Sequence, residues 1–279
     1  MPASAAALRD QTFAANRATG HIALSVIAAH GSSRRARVQE VGSLRVRFPN
    51  SQSDGTLDAV IVNTAGGMTG GDQFQLDFDV STGARLSVTT AAAEKVYRSL
   101  GPDTKVGIKL AIGDGAALVW LPQETILFDQ VRLRRTIDIE LTGSAHLLLA
   151  EAIVFGRAAM GEIVSAGHLF DRWRVRRDGA LIFAETMRID GAIAKQLADR
   201  PTAAGGATIA GILKIPGDED AVAAVRDMQQ SFLGEVGASA WNGLALARLV
   251  APDGAALRHD LAVVATAWTA GPLPRLWLN

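Results

Sequence analysis

The residues of this chain that could do chemistry are acids placed inside otherwise apolar segments. Glu151 interrupts the run from Leu147 to Phe155, which is apolar at both alternating positions and is typical of a strand covered on both faces. We expect an acid in the middle of such a strand to be buried, and burial of an unpaired carboxylate costs free energy. Glu151 must therefore be paired, protonated or used by the protein.

Two further acids share this inward placement. Asp72 has the same alternation as the apolar residues of the segment that follows it, which are Phe74, Leu76 and Phe78. Glu185 has the same alternation as three apolar neighbours, which are Leu181, Phe183 and Met187. The alternation thus predicts three acids that point toward the interior.

Two interpretations of these acids stay open. They could form structural ion pairs, since Arg157 follows Glu151 closely and could reach it. Arg172 would lie opposite Glu185 if Asp178 and Gly179 formed a two-residue turn. Alternatively, the acids could mark a path for a cationic ligand.

The composition argues against several other classes of protein. Lysine and arginine total 28, and aspartate and glutamate also total 28, so we expect neither nucleic acid nor an acidic membrane as a partner. The chain contains no cysteine, which excludes disulfides and thiolate metal sites. It shows no signal-like start and no apolar run of membrane-spanning length, so we expect a soluble, cytoplasmic protein.

Familiar catalytic motifs are missing. There is no Gly-x-Ser-x-Gly elbow, and the five histidines show no paired metal-binding spacing. Arg172, Arg174 and Arg176 alternate along one segment, which favours a solvated strand face over a nucleic-acid stripe in a chain of zero net charge.

The glycine-rich segment from Asn63 to Asp72 joins two predicted strands. Residues 59–62 read as a buried strand, and residues 73–80 alternate as a half-buried strand does. A phosphate-binding loop or a dinucleotide fingerprint requires a strand followed by a helix. The segment is therefore a strand connection and does not predict nucleotide binding.

The remaining pattern predicts a single domain over residues 1–279, of which residues 1–19 could be disordered. Residues 20 to 190 are mostly strand-like and are separated by Asp-Gly turns. Helices are predicted from Asp218 to Gly234, over residues 257–268 and, more weakly, over residues 192–198. Residues 244–250 predict a strand, and residues 201–206 predict a loop.

Four blocks of the sequence together resemble the UreD (UreH) family of urease accessory proteins. They are the glycine segment with Gly66, Gly67, Gly70, Gly71 and Asp72, the block 89–99, the block 121–129, and Glu151 with residues 155–157 and 161–162. The closing segment 273–277 also fits, so the resemblance covers roughly residues 20 to 278. One departure lies in the second block, where the family often has Gln and Thr at the positions of Ala91 and Glu94. We assign no role to these two positions.

The resemblance implies a mainly β fold of stacked β-sheets, β-helix-like, with two or three helices in the C-terminal third. It also implies a protein that is not an enzyme and holds no tight cofactor. Such proteins bind the urease apoprotein and the accessory proteins UreF and UreG. The assembly delivers a transient nickel ion from UreG, a GTPase, to the urease active site, and a water-filled path is the proposed route.

On this resemblance, the inward acids become candidate points on a nickel path. Carboxylates and water hold nickel less tightly than imidazole or thiolate does, which suits a passage better than a store. The candidates are Asp72, Glu151 and Glu185, with Glu124 as a fourth. The resemblance also places Thr89 and Thr90 near the path and includes Arg157 among its motif residues.

Two other classes of function stay open. A β-rich module that binds a glycan or another protein would show exposed rows of aromatic residues, and aromatics make up 5% of this chain. A hydrolase or lyase would need two carboxylates facing one cleft.

Overall fold

A computed structural model describes residues 16–50, 55–99, 101–157, 160–269 and 271–277. Most of the predicted disorder at residues 1–19 lies outside the described residues, although Thr19 already belongs to the first strand. The strands are β1 (Thr19–Ala29), β2 (Ser32–Gly42), β3 (Leu44–Arg47), β4 (Leu57–Asn63), β5 (Gln73–Val80), β6 (Arg85–Thr90), β7 (Glu94–Val96), β8 (Thr104–Ile112), β9 (Ala117–Trp120), β10 (Thr125–Leu127), β11 (Val131–Leu141), β12 (His146–Phe155), β13 (Gly167–Arg177), β14 (Ala180–Gly191), β15 (Thr208–Ile215), β16 (Glu235–Trp241) and β17 (Leu244–Ala251). The helices are α1 (Ile193–Ala198), α2 (Glu219–Asp227) and α3 (Gly254–Trp268), with short 3₁₀ turns at Gln229–Ser231 and Arg275–Trp277.

The strands form two stacked sheets, which confirms the predicted mainly β fold. The first sheet has seven strands in the order β14-β13-β11-β8-β5-β1-β2. The second has ten, in the order β16-β17-β15-β12-β9-β6-β4-β3, with β10 beside β12 and β7 beside β10. From β4 to β13 the chain passes repeatedly from one sheet to the other, with β6–β7 and β9–β10 as consecutive strands of the second sheet. Neighbouring strands of this part of each sheet are parallel. This winding gives the β-solenoid-like arrangement.

Two hydrophobic cores hold the layers together. The larger core fills the space between the sheets and is built from the inward residues of alternating strands, such as Ile22, Phe78, Leu118 and Ile137. The smaller core lies between the outer face of the second sheet and the helices α2 and α3. The seven-stranded sheet has a polar outer face, on which Arg172 pairs with Asp138 and Arg176 with Glu140. The predicted solvated arginine stripe is thereby confirmed.

The predicted helices are found, with one difference in length. Asp218 accepts the amide hydrogen of Ala221 and caps α2, as expected. The helix ends at Asp227 rather than near Gly234, and the amides of Leu233 and Gly234 donate instead to the Asp260 carboxylate on α3. Among the described residues, no helix is long and apolar enough to cross a membrane.

The predicted pairing of Arg172 with Glu185 is wrong by one residue. Arg172 lies opposite Thr186, and Glu185 lies opposite Trp173. A shift of register between Val175 and Arg176 inserts one extra residue into β14. Such a bulge leaves no clear signal in a sequence that alternates on both sides of it.

The glycine segment connects β4 to β5 and packs against the second motif block. A methyl group on Gly67 would lie 2.5 Å from the ring of Tyr97. A methyl group on Gly70 would lie 1.8 Å from the Ser99 hydroxyl oxygen and 2.5 Å from the Pro102 carbonyl oxygen. Small residues are therefore required for the close approach of the two segments, and a ligand need not be invoked to explain them.

Replacing Gly70 with alanine is expected to lower the free energy of unfolding by about 1–3 kcal/mol, because the Pro102 backbone must move to admit the methyl group. Gly101→Ala is the matched control, since the methyl group there would meet open space. Urea denaturation of both variants measures the difference. Equal stabilities would show that the close packing at Gly70 is unimportant.

Candidate functional site

Glu151 is buried between the sheets, as predicted, and its partner is an arginine that the sequence did not point to. The Nη1 group of Arg135 on β11 donates to Oε2 of Glu151 on β12. The indole Nε1 of Trp120 donates to Oε1 of Glu151 at 3.0 Å. Both side chains of the ion pair are 5% exposed, so the contact joins the two sheets inside the core.

The same arginine also holds a second carboxylate. Arg135 Nε donates to Oδ1 of Asp171 at 3.1 Å, and its Nη2 donates to Oδ2. One positive and two negative charges leave this buried trio, Arg135–Glu151–Asp171, with a net charge of −1 when all three are ionised.

Burial and this charge imbalance set the direction of the pKa shifts. Burial, assisted by the nearby Asp171 carboxylate, raises the pKa of Glu151 against the opposing effect of Arg135. Burial alone would lower the pKa of Arg135, but the charges of Asp171 and Glu151 outweigh it and raise the pKa. Arg135 therefore stays charged and its two acids compete for it.

The expected partner of Glu151 was Arg157, and that prediction is wrong. Arg157 lies at the surface, where its Nε donates to Glu162 Oε2 at 2.7 Å and its guanidinium stacks over Phe128. Arg135 could have been found from the sequence. It shares the alternation of Val131, Leu133 and Ile137, so its position on β11 is an inward one.

Asp72 is also buried, but its carboxylate binds backbone amides. Its Oδ1 accepts the amide hydrogen of Ala18 and its Oδ2 that of Thr69, each at 2.8 Å. Asp72 thus ties the start of β1 to the glycine segment. The geometry gives this acid an anchoring role.

The other two candidate acids each pair with an arginine. Glu185 pairs with Arg248 at 3.0 Å, and its side chain is about one-third exposed rather than buried. Glu124 pairs with Arg258 at 3.1 Å. The structure therefore does not bring Asp72, Glu124 and Glu185 together with Glu151, and the described residues contain no group of three metal-ligating side chains.

The two threonines point to opposite faces of the second sheet. The Thr90 hydroxyl donates to the Ala92 carbonyl and accepts the amide hydrogen of Gln123. Thr89 is buried, and its hydroxyl has no hydrogen-bond partner among the described residues.

A small cavity lies between the sheets, beside the buried trio. Its volume is about 70 Å³, which has room for roughly two water molecules. One part of the wall is apolar and includes Met68, Phe74 and Ile108. The polar part consists of Asn63, Thr90, Glu94, Trp120, Gln123, Thr125, Arg135 and Glu151. The cavity is thus mainly apolar, with a smaller polar part beside the buried trio.

Glu94 is an acid at this cavity for which the sequence pattern predicted no role. Its Oε2 accepts a hydrogen bond from the Asn63 side-chain amide at 3.0 Å. Burial raises the pKa of Glu94, and the Asn63 hydrogen bond opposes that shift. Within the described part of the chain, no lysine or arginine forms an ion pair with it. Strand β7 has three residues, which are too few for an alternating pattern to have predicted this placement.

The carboxyl-terminal segment is fastened beside the cavity through Gln123. Arg258 donates to the Gln123 side-chain oxygen, to Glu124 Oε1 and to the Leu276 carbonyl. The indole of Trp277 donates to the Leu121 carbonyl at 2.8 Å. These bonds fix the orientation of the Gln123 amide at the cavity wall.

All four motif blocks meet at one end of the sandwich. Each contributes residues to the cavity, among them Met68, Thr90, Gln123 and Glu151. The blocks also form a shallow surface hollow, lined by Thr69, Tyr97, Arg98, Phe128, Asp129, Gln130, Arg157 and Glu162. The most recognisable parts of the sequence thus converge in space, although they are spread over a hundred residues.

Comparisons with known proteins agree with one another. A family model described as "UreD urease accessory protein" matches residues 18–278. A protein of Rhodopseudomonas palustris strain BisB18, named urease accessory protein UreD, is 54% identical over 267 residues, covering 96% of each chain. The protein of that name from Bradyrhizobium diazoefficiens is 52% identical, again over 96% of each chain. A Bradyrhizobium protein from strain ORS 278, named urease accessory protein UreD 1, is 50% identical over all of this chain and 99% of its own.

Proposed function

The chain belongs to the UreD family of urease accessory proteins, and we propose that it binds the urease apoprotein together with UreF and UreG and helps deliver nickel to the urease active site. Its role is non-catalytic, and it acts in the cytoplasm. Nickel is the cargo of this process rather than a resident cofactor. The family assignment supports the accessory role in urease maturation.

The observation that carries the proposal of a nickel path is the chemistry of the internal cavity. The oxygen-bearing side chains at its wall include Glu94 and Thr90, and also Glu151 and Gln123, whose oxygens are bonded to Arg135, Trp120 and Arg258. Carboxylate, amide and water oxygens bind nickel more weakly than imidazole or thiolate does, and such contacts exchange quickly. A chamber of this kind suits an ion that passes through with part of its water shell.

We propose a path whose residues differ in part from those that the sequence suggested. Glu151, Glu94 and Thr90 contribute to the cavity wall. Asp72, Glu124 and Glu185 have carboxylates held by backbone amides, by Arg258 and by Arg248, respectively. We therefore assign these three acids to positioning the surrounding segments, and we assign the path to the cavity.

Assembly with the urease machinery tests the proposed role. When the chain is mixed with UreF, UreG and urease apoprotein, we expect one complex that contains all of them on size-exclusion chromatography. A glycan- or protein-binding module without a metal role would bind none of these partners. Migration of the chain as a free protein in the presence of UreF, at concentrations well above micromolar, would contradict the proposal.

A further inference from the structure

A groove crosses the outer face of the second sheet, and we propose that it docks an acidic segment of a partner polypeptide that also carries apolar side chains. The groove has a volume of about 760 Å³ and lies between strand β4 on one side and the end of α3 with residues 271–275 on the other. The sheet itself separates the groove from the internal cavity, which lies on the inner face. The proposal therefore concerns a surface to which the function proposed above gives no role.

The register of the strands arranges the floor of the groove in two rows. Arg85, Ala117 and His146 lie side by side on β6, β9 and β12 and form the first row. The second row lies two residues further along these strands, reaches β15 and consists of Ser87, Val119, Leu148 and Lys214. The intervening residues belong to the core on the inner face, so both rows point outward; they are Leu86, Leu118 and Leu147. Ala117 is small, which leaves a recess between the two basic residues of its row.

The middle of the groove is apolar. Val119 is partly buried and packs against the smaller core, to which Leu148 also belongs. Trp268 at the end of α3 and Leu273 close one wall. An apolar side chain of a partner that enters here is removed from water, which favours binding.

Basic side chains surround this apolar floor. They are Arg85, His146, Lys214 and Arg275, whereas Asp58 is the one acid among the described residues that line the groove. Within the described part of the chain, no ion pair joins any of the four to an acid. This surplus of positive charge favours a partner segment that carries carboxylates.

Lys214 is the most sheltered of these basic residues. Its Nζ donates to the Trp268 carbonyl at 2.7 Å, which leaves two further donor hydrogens. Burial lowers the pKa of Lys214, and the Asp218 carboxylate opposes that shift. A carboxylate bound to this ammonium group would offset its lost hydration, in surroundings where salt screens charges less than at the open surface.

Other anionic partners fit the groove less well. A membrane or a nucleic acid would contact the exposed arginines and leave the recessed apolar floor unfilled. Stacking of bases requires an accessible aromatic ring, and Trp268, the aromatic residue among the described residues of the groove, is 3% exposed. A polypeptide supplies carboxylates and apolar side chains together.

The spacing of the basic residues sets the length of the segment. Lys214 lies three strands away from Arg85, which is about 14 Å across the sheet. An extended chain spans about 3.3 Å per residue. Two acids with three apolar residues between them therefore reach both cations.

Fluorescence anisotropy of a labelled synthetic peptide tests the proposal with the purified chain. The probe peptide has two glutamates separated by three leucines, with a glycine at each end. Serines replace the leucines in one control peptide, and glutamines replace the glutamates in the other. We expect the probe to bind about tenfold more tightly than either control, because the groove contacts both kinds of side chain.

Two double variants that lose the same charge are compared in this assay. Arg85→Gln with Arg275→Gln removes two exposed cations of the groove and should weaken binding of the probe about fivefold. Lys105→Gln with Arg174→Gln removes two exposed cations from the outer face of the first sheet and should change the affinity less than about twofold. Equal effects of the two double variants would overturn the proposal.

A second measurement uses the unmodified chain, so that the outcome does not depend on the stability of a variant. The backbone amide NMR signals of Ala117 and Val119 on β9 should shift when the probe peptide is added, whereas that of Thr136 on β11 of the first sheet should not. Equal shifts in both sheets, or a probe that binds no more tightly than the control peptides, would contradict docking in the groove. Neither measurement contains urease, UreF or UreG, so such a failure would leave the function proposed above standing.

Discussion

Replacing Arg135 with methionine is expected to lower the free energy of unfolding by about 3–5 kcal/mol, the cost typical of removing one partner from a buried ion pair. Arg135 on β11 bonds to Asp171 on the neighbouring strand β13 of the same sheet and to Glu151 on β12 of the other sheet. All three side chains are nearly inaccessible to solvent. Without the guanidinium group, two carboxylates would be buried with no positive partner. Urea denaturation of the purified chain measures the loss.

The pH dependence of this loss distinguishes electrostatics from packing. Removing Arg135 should raise the pKa of Glu151 further in the folded state, because burial already opposes the charge of Glu151 and Arg135 is the group that offsets that effect. A folded-state pKa above the unfolded value gives stability that is present at low pH and is lost as the pH rises through the folded pKa. We therefore expect Arg135→Met to be less destabilised near pH 5 than near pH 8.

Two controls complete this prediction. Arg174→Met changes an exposed arginine on the neighbouring strand and should leave stability within about 0.5 kcal/mol, as is usual for surface substitutions. Combining Arg135→Met with Glu151→Gln and Asp171→Asn removes the unpaired charges and should recover much of the loss. If Arg135→Met were as stable as Arg174→Met, the trio would not contribute to holding the sheets together.

The alternation of apolar residues predicted much of this fold, because it reports directly which side of a strand is buried. The inward placement of Asp72 and Glu151 followed from that pattern and is confirmed. The pattern could not predict how strands are distributed between two sheets, since an inward residue looks the same in either sheet. The stacked winding was expected from the family resemblance alone.

Pairing was predicted less well than burial, for a physical reason. The partner of Glu151 was sought nearby in sequence, at Arg157, whereas Arg135 reaches it from the opposite sheet. The bulge between Val175 and Arg176 shifted Glu185 by one residue relative to β13. Glu94 lies on a strand of only three residues, which is too short for a period-two pattern. Contacts between layers and local irregularities of register are set by tertiary packing.

Filling the cavity is expected to lower nickel delivery to urease several-fold while leaving the accessory complex intact. Val106 on β8 is half-buried and lies at the cavity wall, so Val106→Phe would place an aromatic ring in much of the available space. The surface of the chain away from Val106 would not change. The ion would then lose the cavity as a passage, although UreF and UreG could still bind.

Val38→Phe is the matched control for this substitution. Val38 lies on the edge strand β2 with 39% of its surface exposed, so the larger ring adds apolar surface without entering the interior. Circular dichroism and thermal unfolding should show that both variants remain folded. Normal nickel delivery by a folded Val106→Phe chain would exclude the cavity as the route.

The nickel content of urease, measured by mass spectrometry after incubating the apoprotein with UreF, UreG, GTP and limiting nickel, tests the central claim most directly. We expect the enzyme to acquire several-fold more nickel when this chain is present than when it is omitted, and the Val106→Phe chain to give a value near that obtained without it. Equal nickel content with and without the chain would contradict a role in delivering the metal.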